Sequence, residues 1–135
     1  MRAEPARSSP DLRVSNASME RLLRATINTW QGLLAAARSE EAFRQELVAL
    51  VLAVPMAFLL ADEGWKRLAL IGVVVFVLVV ELLNTAIEKL ADRVNLAIDP
   101  QIGRVKDMGS AAVGLALLIA GITWLLALAE RLGLI

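Results

Sequence analysis

Long runs without charge constrain the fold of this chain most. Residues 111–129, AAVGLALLIAGITWLLALA, include no charged side chain, and neither do residues 68–80 or 47–61. A helix needs about 20 mainly apolar residues to cross a bilayer, where only helices and closed barrels satisfy their own backbone. Apolar residues make up 58% of the 135-residue chain, and the mean hydropathy is +0.64. We therefore predict an all-α membrane protein.

The pattern between these runs predicts the order of the helices. Leu23, Ile27 and Trp30 recur at intervals of three and four, with Arg21 and Arg24 mostly on the other side. This pattern is typical of an amphipathic helix, which we interpret as lying on the membrane surface; an ordinary bundle helix is the alternative. We predict a flexible tail, this surface helix and three transmembrane spans, at residues 1–17, 18–38, about 42–61, 67–90 and 109–129.

Two boundaries follow from polar segments. Ser39 is the expected N-cap of the helix that contains the first span. Residues 91–107 are polar and contain Pro100 and Gly103, so we predict a loop there.

The basic residues predict the orientation in the membrane. Three spans place the two ends of the chain on opposite sides. One side then carries eleven basic residues: Arg2, Arg7, Arg13, Arg21, Arg24, Arg38, Arg44, Lys89, Arg93, Arg104 and Lys106. The other side carries three: Lys66, Arg67 and Arg131. Because basic residues concentrate in cytoplasmic segments, we expect a cytoplasmic N-terminus and a periplasmic C-terminus.

The composition excludes several kinds of chemistry. The chain has no Cys and no His, so it has no thiol nucleophile, thiolate metal site or Ser-His-Asp triad. Its formal net charge is zero, which argues against nucleic acid as a partner. Any catalysis must therefore use carboxylates, amides, hydroxyls, Lys, Arg or a hard cation.

The segment VVELLNTAIEKLADR, residues 79–93, places polar groups on an otherwise apolar helix. Glu81, Asn84, Glu88 and Asp92 fall within an arc of about 80° at 100° per residue. An ionisable group inside a span costs about 2.5–3.5 kcal/mol on insertion scales, so it is interpreted as functional by default. We call these four residues the polar stripe. Packing between helices is the alternative role for the polar stripe, but several acids on one face repel unless a cation or proton lies between them.

The segment EEAFRQE, residues 40–46, lies where the first span meets the cytoplasmic interface. Acids suit the first turn of a helix, which is the structural interpretation of Glu40. Glu40 and Glu88 are also expected at the same depth on neighbouring helices. Two carboxylates without His or Cys suit Mg²⁺ that also binds water and phosphate oxygens. Arg44 and Gln45 are candidates to hold phosphates or polar lipid groups.

The segment GRVKDMGS, residues 103–110, leads into the third span. Lys106 beside Asp107 is a candidate phosphate contact, although a basic cytoplasmic loop explains it equally well. No Walker or kinase glycine loop is present. One helix face carries Ser110, Gly114, Leu117 and Gly121, and we interpret it as a surface for close helix packing.

Together the segments EAFRQE, VELLNTAIE and KDMGSAAV resemble the three signatures of the prokaryotic diacylglycerol kinase family, in the right order and over about residues 20–130. The resemblance implies a homotrimer of three-span subunits in the bacterial inner membrane, with active sites shared between neighbouring subunits. It implies transfer of the γ-phosphate of Mg-ATP to diacylglycerol, giving phosphatidic acid.

The resemblance also implies roles for individual residues. Glu81 is similar to the catalytic base, and Glu40 and Glu88 to the carboxylates that hold Mg²⁺. The residues expected to contact ATP and its phosphates are Arg21, Asn84, Asp92, Lys106 and Asp107. The residues expected to contact the lipid are Arg44, Gln45, Glu46 and Ser110.

Two departures from the family pattern affect the nucleotide contacts. Some members carry an aromatic residue where this chain has Asn28, and relatives often have a His in the loop matching residues 98–101, where this chain reads IDPQ. A branch with the same motifs phosphorylates undecaprenol, which is the alternative substrate. A more distant alternative is an oligomer without enzyme activity that conducts ions or protons along the polar stripe.

Overall fold

A computed structural model describes residues 10–94 and 99–135 of the chain, with side chains from residue 18 onward. Within these residues the structure consists of four helices joined by short connections. They are α1 (Pro10–Ser39), α2 (Glu41–Leu60), α3 (Gly64–Val94) and α4 (Pro100–Arg131). The prediction of an all-α protein is therefore confirmed.

Three of the described helices, α1, α3 and α4, are longer than the sequence pattern predicted. The predicted tail, as far as residue 9, lies outside the described residues, but residues 10–17 belong to α1. The loop predicted at 91–107 is wrong, because α3 continues to Val94 and α4 begins at Pro100. Asp99 is the N-cap of α4: its side chain accepts a hydrogen bond from the backbone N–H of Gln101 at 2.8 Å. Proline after an N-cap Asp is a typical helix start, so the Pro opens a helix here.

The boundary between α1 and α2 also differs from the prediction. Ser39 is the last residue of α1, and its hydroxyl donates to the carbonyl oxygen of Ala35 at 3.0 Å. The N-cap of α2 is Glu40, whose backbone is extended (φ −110°, ψ 122°). The prediction of Ser39 as the N-cap of α2 was wrong because its hydroxyl is used inside the preceding helix.

The chain divides into two compact units, one ending at Ser39 and one from Glu40 to Ile135. In the first unit, Leu23, Ile27 and Trp30 on α1 are all more than half exposed. A helix with an uncovered apolar face and several Arg residues is suited to a membrane surface. That location of α1 remains a prediction.

In the second unit, α3 is the central helix. It packs against both α2 and α4, which scarcely contact each other. Small residues allow close approach at one end, where Ala57 of α2 and Ala61, the residue that follows α2, bury against Leu70 of α3. Trp124 of α4 packs on this cluster, and its indole N–H donates to the carbonyl oxygen of Leu70 at 3.1 Å. The helices are therefore joined by van der Waals packing and by an interhelical hydrogen bond.

The outer surfaces of α2, α3 and α4 are strongly apolar. Val51, Leu68 and Leu125 are each 66–73% exposed. All three helices are long and apolar enough to cross a membrane. Such extensive exposed apolar surface marks contact with lipid or with other protein chains. The three spans expected from the sequence are confirmed as helices of the required length and composition.

The face that α4 turns toward the bundle differs from the predicted one. Gly109 and Ala116 are the buried residues of α4. Ser110, Gly114 and Gly121 are exposed. One residue along a helix changes direction by about 100°, so the two faces are distinct. The predicted face is therefore not the one that packs within this chain, and its role in close helix packing stays a prediction.

Candidate active site

The polar stripe of α3 lies on the packed face of the helix. Glu81 and Asn84 are each only 8% exposed. They continue the face on which Leu70 and Val77 are buried further along the same helix. Glu81 precedes the end of α3 at Val94 by thirteen residues, about 20 Å of helix at 1.5 Å per residue. The buried carboxylate is thus well inside the apolar part of the bundle, while the stripe leads from it toward the end of the helix.

Acidic side chains from two helices meet around Glu81. Glu46 of α2 lies close enough to Glu81 for the two carboxylates to interact electrostatically, and so do Glu40 and Glu88. We call Glu40, Glu46, Glu81 and Glu88 the acidic cluster. The Oε2 atom of Glu46 is buried and has no hydrogen-bond partner among the described residues. Like charges held together in a half-buried position destabilise a fold unless a cation or a proton compensates them.

Asn84 joins the acidic cluster to α4. Its side-chain amide N–H donates to Oε1 of Glu88 at 3.1 Å. Its Oδ1 atom is buried and finds no donor in the part of the chain that the structure describes. Gly109 of α4 lies directly against this amide: a Cβ atom placed on Gly109 would lie 3.3 Å from Cγ of Asn84 and would overlap Oδ1. Glycine at 109 therefore makes room for the Asn84 side chain.

Two lysines bind acids at the same end of the bundle. Lys106 of α4 forms an ion pair with Asp92 of α3, with 2.5 Å between Nζ and Oδ1. Both residues were predicted phosphate contacts, and the structure brings them together. Lys89 of α3 forms an ion pair with Glu40, with 2.6 Å between Nζ and Oε1. Lys89 was not among the residues predicted for the site.

The other predicted residues lie on surfaces. Asp107 and Ser110 are exposed on α4, and Arg44 and Gln45 are exposed on α2. The Gln45 amide donates to Glu41 at 3.3 Å. Arg21 is the predicted site residue of the first unit, and it donates to the Ser18 hydroxyl at 3.4 Å. Asn28, one of the two departures from the family pattern, is exposed on α1. Residue 98 of the IDPQ segment lies outside the described residues.

The oxygen donors of the site suit a hard divalent cation. Among the described residues no group of three or more acids is placed to hold a metal ion by itself. Mg²⁺, however, is usually bound by one or two carboxylates, while phosphate oxygens and water complete its coordination. The carboxylates of Glu40 and Glu88, with the unpaired Oδ1 of Asn84 nearby, therefore fit a Mg²⁺ ion that arrives with a phosphate.

These features are typical of a membrane enzyme that acts on a lipid and on a water-soluble substrate. Three membrane-length helices bury a carboxylate among apolar residues, and the stripe connects it to charged groups at the helix end. Such a site can accept a lipid substrate from the bilayer and a charged one from water.

Comparison with known proteins identifies the family. The family model described as prokaryotic diacylglycerol kinase matches residues 27–128. The diacylglycerol kinase of Escherichia coli (strain K12) is 45% identical over 113 residues, which cover 84% of this chain and 93% of that protein. The diacylglycerol kinase of Pseudomonas aeruginosa is 43% identical over 116 residues, covering 86% and 94%. The diacylglycerol kinase of Haemophilus influenzae is 38% identical over 103 residues, covering 76% and 87%. The chain therefore belongs to the prokaryotic diacylglycerol kinase family.

Sequence reasoning missed Lys89 and Gly109. A glycine inside a helix lowers its stability by about 1 kcal/mol relative to alanine, which is a signal that Gly109 has a packing role. No comparable signal marks Lys89, because its pairing with Glu40 depends on how α2 is rotated against α3.

Proposed function

We propose that this chain transfers the γ-phosphate of ATP to the free hydroxyl group of diacylglycerol, giving phosphatidic acid. The observation that carries this proposal is Glu81, a carboxylate that is 8% exposed within the acidic cluster of a membrane-length helix. The family and the names of its relatives support the same activity.

In the proposed reaction, Glu81 is the general base. It accepts the proton of the lipid hydroxyl as that oxygen bonds to the γ-phosphorus, and the bond to the β-phosphate oxygen breaks to release ADP. Phosphoryl transfer depends mainly on positioning and charge neutralisation, and a positioned base orients the hydroxyl group and accepts its proton. The depth of Glu81 in α3 supports this role, since a lipid hydroxyl reaches that depth more readily than a soluble substrate.

Glu40 and Glu88 are the residues that would hold Mg²⁺. When bound, the ion neutralises phosphate charge and aligns the phosphate groups for transfer. Asn84 orients Glu88 through its 3.1 Å hydrogen bond. The proposed ATP and phosphate contacts are Arg21, Asn84, Asp92, Lys106 and Asp107. The ion pair of Lys106 with Asp92 fixes the Lys106 side chain near the end of the stripe.

The proposed lipid contacts are Arg44, Gln45, Glu46 and Ser110. The electrostatic interaction between Glu46 and Glu81 supports this role for Glu46, because a hydroxyl group between the two carboxylates would donate to one of them. Ser110, which follows Gly109, is exposed on α4, which leaves its hydroxyl accessible to a lipid substrate.

The proposed enzyme is a homotrimer in the inner membrane, with active sites shared between subunits, a cytoplasmic N-terminus and a periplasmic C-terminus. The exposed apolar surfaces of α2 and α4 support contacts with other copies. The excess of basic residues on one side of the spans supports the orientation.

A competition between two lipids tests the proposal. The purified protein in mixed micelles receives γ-labelled Mg-ATP with equal amounts of dioleoylglycerol and undecaprenol, and the labelled lipids are separated. We expect label in phosphatidic acid. Glu81→Gln should abolish labelling, whereas Glu130→Gln, which alters an exposed acid at the other end of the three-helix unit, should retain it.

Label in undecaprenyl phosphate would favour the other branch of the family. Labelling of neither lipid, together with ion flux through the protein in liposomes without ATP, would favour the conducting oligomer. Full activity of Glu81→Gln would refute the proposed base.

A further inference from the structure

The ion pair between Lys89 and Glu40 involves a proposed metal ligand. Glu40 is the N-cap of α2, but its side chain makes no capping hydrogen bond to that helix. Its Oε1 atom instead lies 2.6 Å from Nζ of Lys89 on α3. An acid at this position would ordinarily be stabilised by the free N–H groups of its own helix. Here the carboxylate is directed toward a neighbouring helix and an ammonium group.

The ammonium group of Lys89 and a divalent cation need the same carboxylate. At 2.6 Å, Lys89 occupies Oε1, one of the two oxygens through which Glu40 could coordinate a metal ion, and its positive charge opposes a cation at the other oxygen. Because Glu40 is itself a proposed ligand, the ammonium group of Lys89 also lies close to the ion's expected position. Because the Lys89 side chain is 56% exposed, it is able to move into water when displaced.

We propose that Lys89 is a positioning residue that competes with the divalent cation for Glu40 and thereby raises the metal concentration that the site requires. The inference rests on the proposed metal site. In the absence of metal, Lys89 holds Glu40 between α2 and α3 and compensates part of the acidic cluster. Metal binding then requires Lys89 to leave Glu40, and this displacement weakens the apparent affinity.

A metal-binding measurement tests the proposal without depending on turnover. Mn²⁺ is a suitable probe because oxygen sites for Mg²⁺ also accept Mn²⁺. The full-length protein in nanodiscs is titrated with Mn²⁺ in the presence of a non-hydrolysable ATP analogue, and free Mn²⁺ is followed by electron paramagnetic resonance. Lys89→Met should lower the half-saturating Mn²⁺ concentration roughly two- to fivefold, as expected for the loss of a partly exposed ion pair.

Two further variants separate the ion pair from its charge alone. Lys89→Arg preserves a donor for Glu40 and should restore an affinity close to that of the wild type. Arg93→Met removes a positive charge one turn further along α3 and should change the affinity less than Lys89→Met does. The half-saturating Mg²⁺ concentration for kinase activity should move in the same direction as Mn²⁺ binding, while the KM for the lipid stays unchanged.

The outcomes distinguish this inference from the proposed function. If Mn²⁺ binding depends on Glu40 and Glu88 but is unchanged or weaker in Lys89→Met, the competition by Lys89 is refuted and the metal site stands. If Glu40→Gln and Glu88→Gln leave Mn²⁺ binding unchanged, the metal site itself is refuted, and this inference with it. Equal tightening in Lys89→Met and Arg93→Met would assign the effect to net charge and refute the ion-pair competition.

Discussion

The two ends of the three-helix unit differ in how completely their charged and polar groups are paired. At the end where α2 meets α3, each charged side chain has a partner. Lys66 binds Glu63 and Glu130, Arg131 lies 3.4 Å from Asp62, and Arg67 donates to the carbonyl oxygen of Ala61 at 2.9 Å. We call this the paired end. At the other end, Lys89 and Lys106 pair with Glu40 and Asp92. The acidic cluster there nevertheless places four carboxylates near one another, with buried oxygens on Glu46 and Asn84 that lack a described partner.

This contrast separates charges that hold the bundle together from charges that are arranged for a reaction. Complementary pairs at a helix end need nothing further, and each contributes at most about 1 kcal/mol when exposed. Repelling carboxylates and unsatisfied buried oxygens persist only where packing imposes them, and such strain concentrates at active sites. Substitutions at the paired end should therefore affect stability, and substitutions at the acidic cluster should affect activity.

The largest expected effect is that of Glu81→Gln. Loss of a general base should lower the rate of phosphate transfer at least about 100-fold. The melting temperature in detergent should stay the same or rise, because the amide removes repulsion from Glu40, Glu46 and Glu88. The matched variant at the paired end, Glu130→Gln, should lose a little stability and retain activity. An unstable Glu81→Gln protein would contradict the assignment of that carboxylate to function.

The next largest effect is expected for Gly109→Ala. The added methyl group would overlap the Asn84 side chain, so that α4 or the amide must shift. Because small displacements of reacting groups lower rates strongly, we expect a loss of activity of roughly ten- to a hundredfold. Steady-state kinetics should show the loss in kcat more than in the lipid KM.

Gly114 offers a matched control on the same helix. A Cβ atom at this position meets nothing within 4 Å among the described residues. Gly114→Ala should therefore retain activity and increase helix stability by up to about 1 kcal/mol. Equal losses in the two variants would show that glycine flexibility in α4, and not the room for Asn84, is what activity requires.

The sequence predicts the membrane helices of this molecule better than it predicts their ends and their rotation about the helix axis. The membrane helices follow from local features, because an uncharged run of sufficient length has few other structures available. Helix ends were predicted less well: Asp99 and Pro100 form a helix start that resembles a polar loop until the cap is identified. The rotation of each helix about its axis depends on contacts with its neighbours. The small-residue face expected on α4 was therefore displaced by one residue from the face that packs.

In the candidate site, too, features within one helix were predicted better than contacts between helices. Helical spacing alone predicted that Glu81, Asn84 and Glu88 share a face. The depth of Glu40 beside Glu88 was also expected. The approach of Glu46 to Glu81 and the pairing of Lys89 with Glu40 were not, because they depend on how α2 and α3 pack against each other. Burial of Glu81 at a helix contact also required the structure, because periodicity does not distinguish a face covered by protein from one covered by lipid.

A smaller effect is expected for Trp124→Phe at the paired end. Phenylalanine fills most of the same space but removes the 3.1 Å hydrogen bond to the carbonyl oxygen of Leu70. Interhelical hydrogen bonds of this kind contribute about 0.6–2 kcal/mol in membrane proteins. Reversible unfolding in mixed detergent should show a loss in this range, with kcat unchanged. A lowered kcat at wild-type stability would mean that the paired end takes part in the reaction after all.

The smallest effect concerns pH at Glu63, which lies in the connection between α2 and α3. A hydrogen bond from the Trp65 indole and the ion pair with Lys66 lower the pKa of this exposed carboxyl below its ordinary value, about 4.3 for glutamate. A lowered pKa in the folded state means that ionised Glu63 stabilises the fold above the ordinary pKa. This contribution is lost as the pH falls through the lowered value. Glu63→Gln should therefore melt slightly below the wild type at neutral pH, and the difference should vanish as the pH falls below the lowered pKa of Glu63. A melting-temperature difference that does not depend on pH would show that Glu63 contributes through shape and not through its charge.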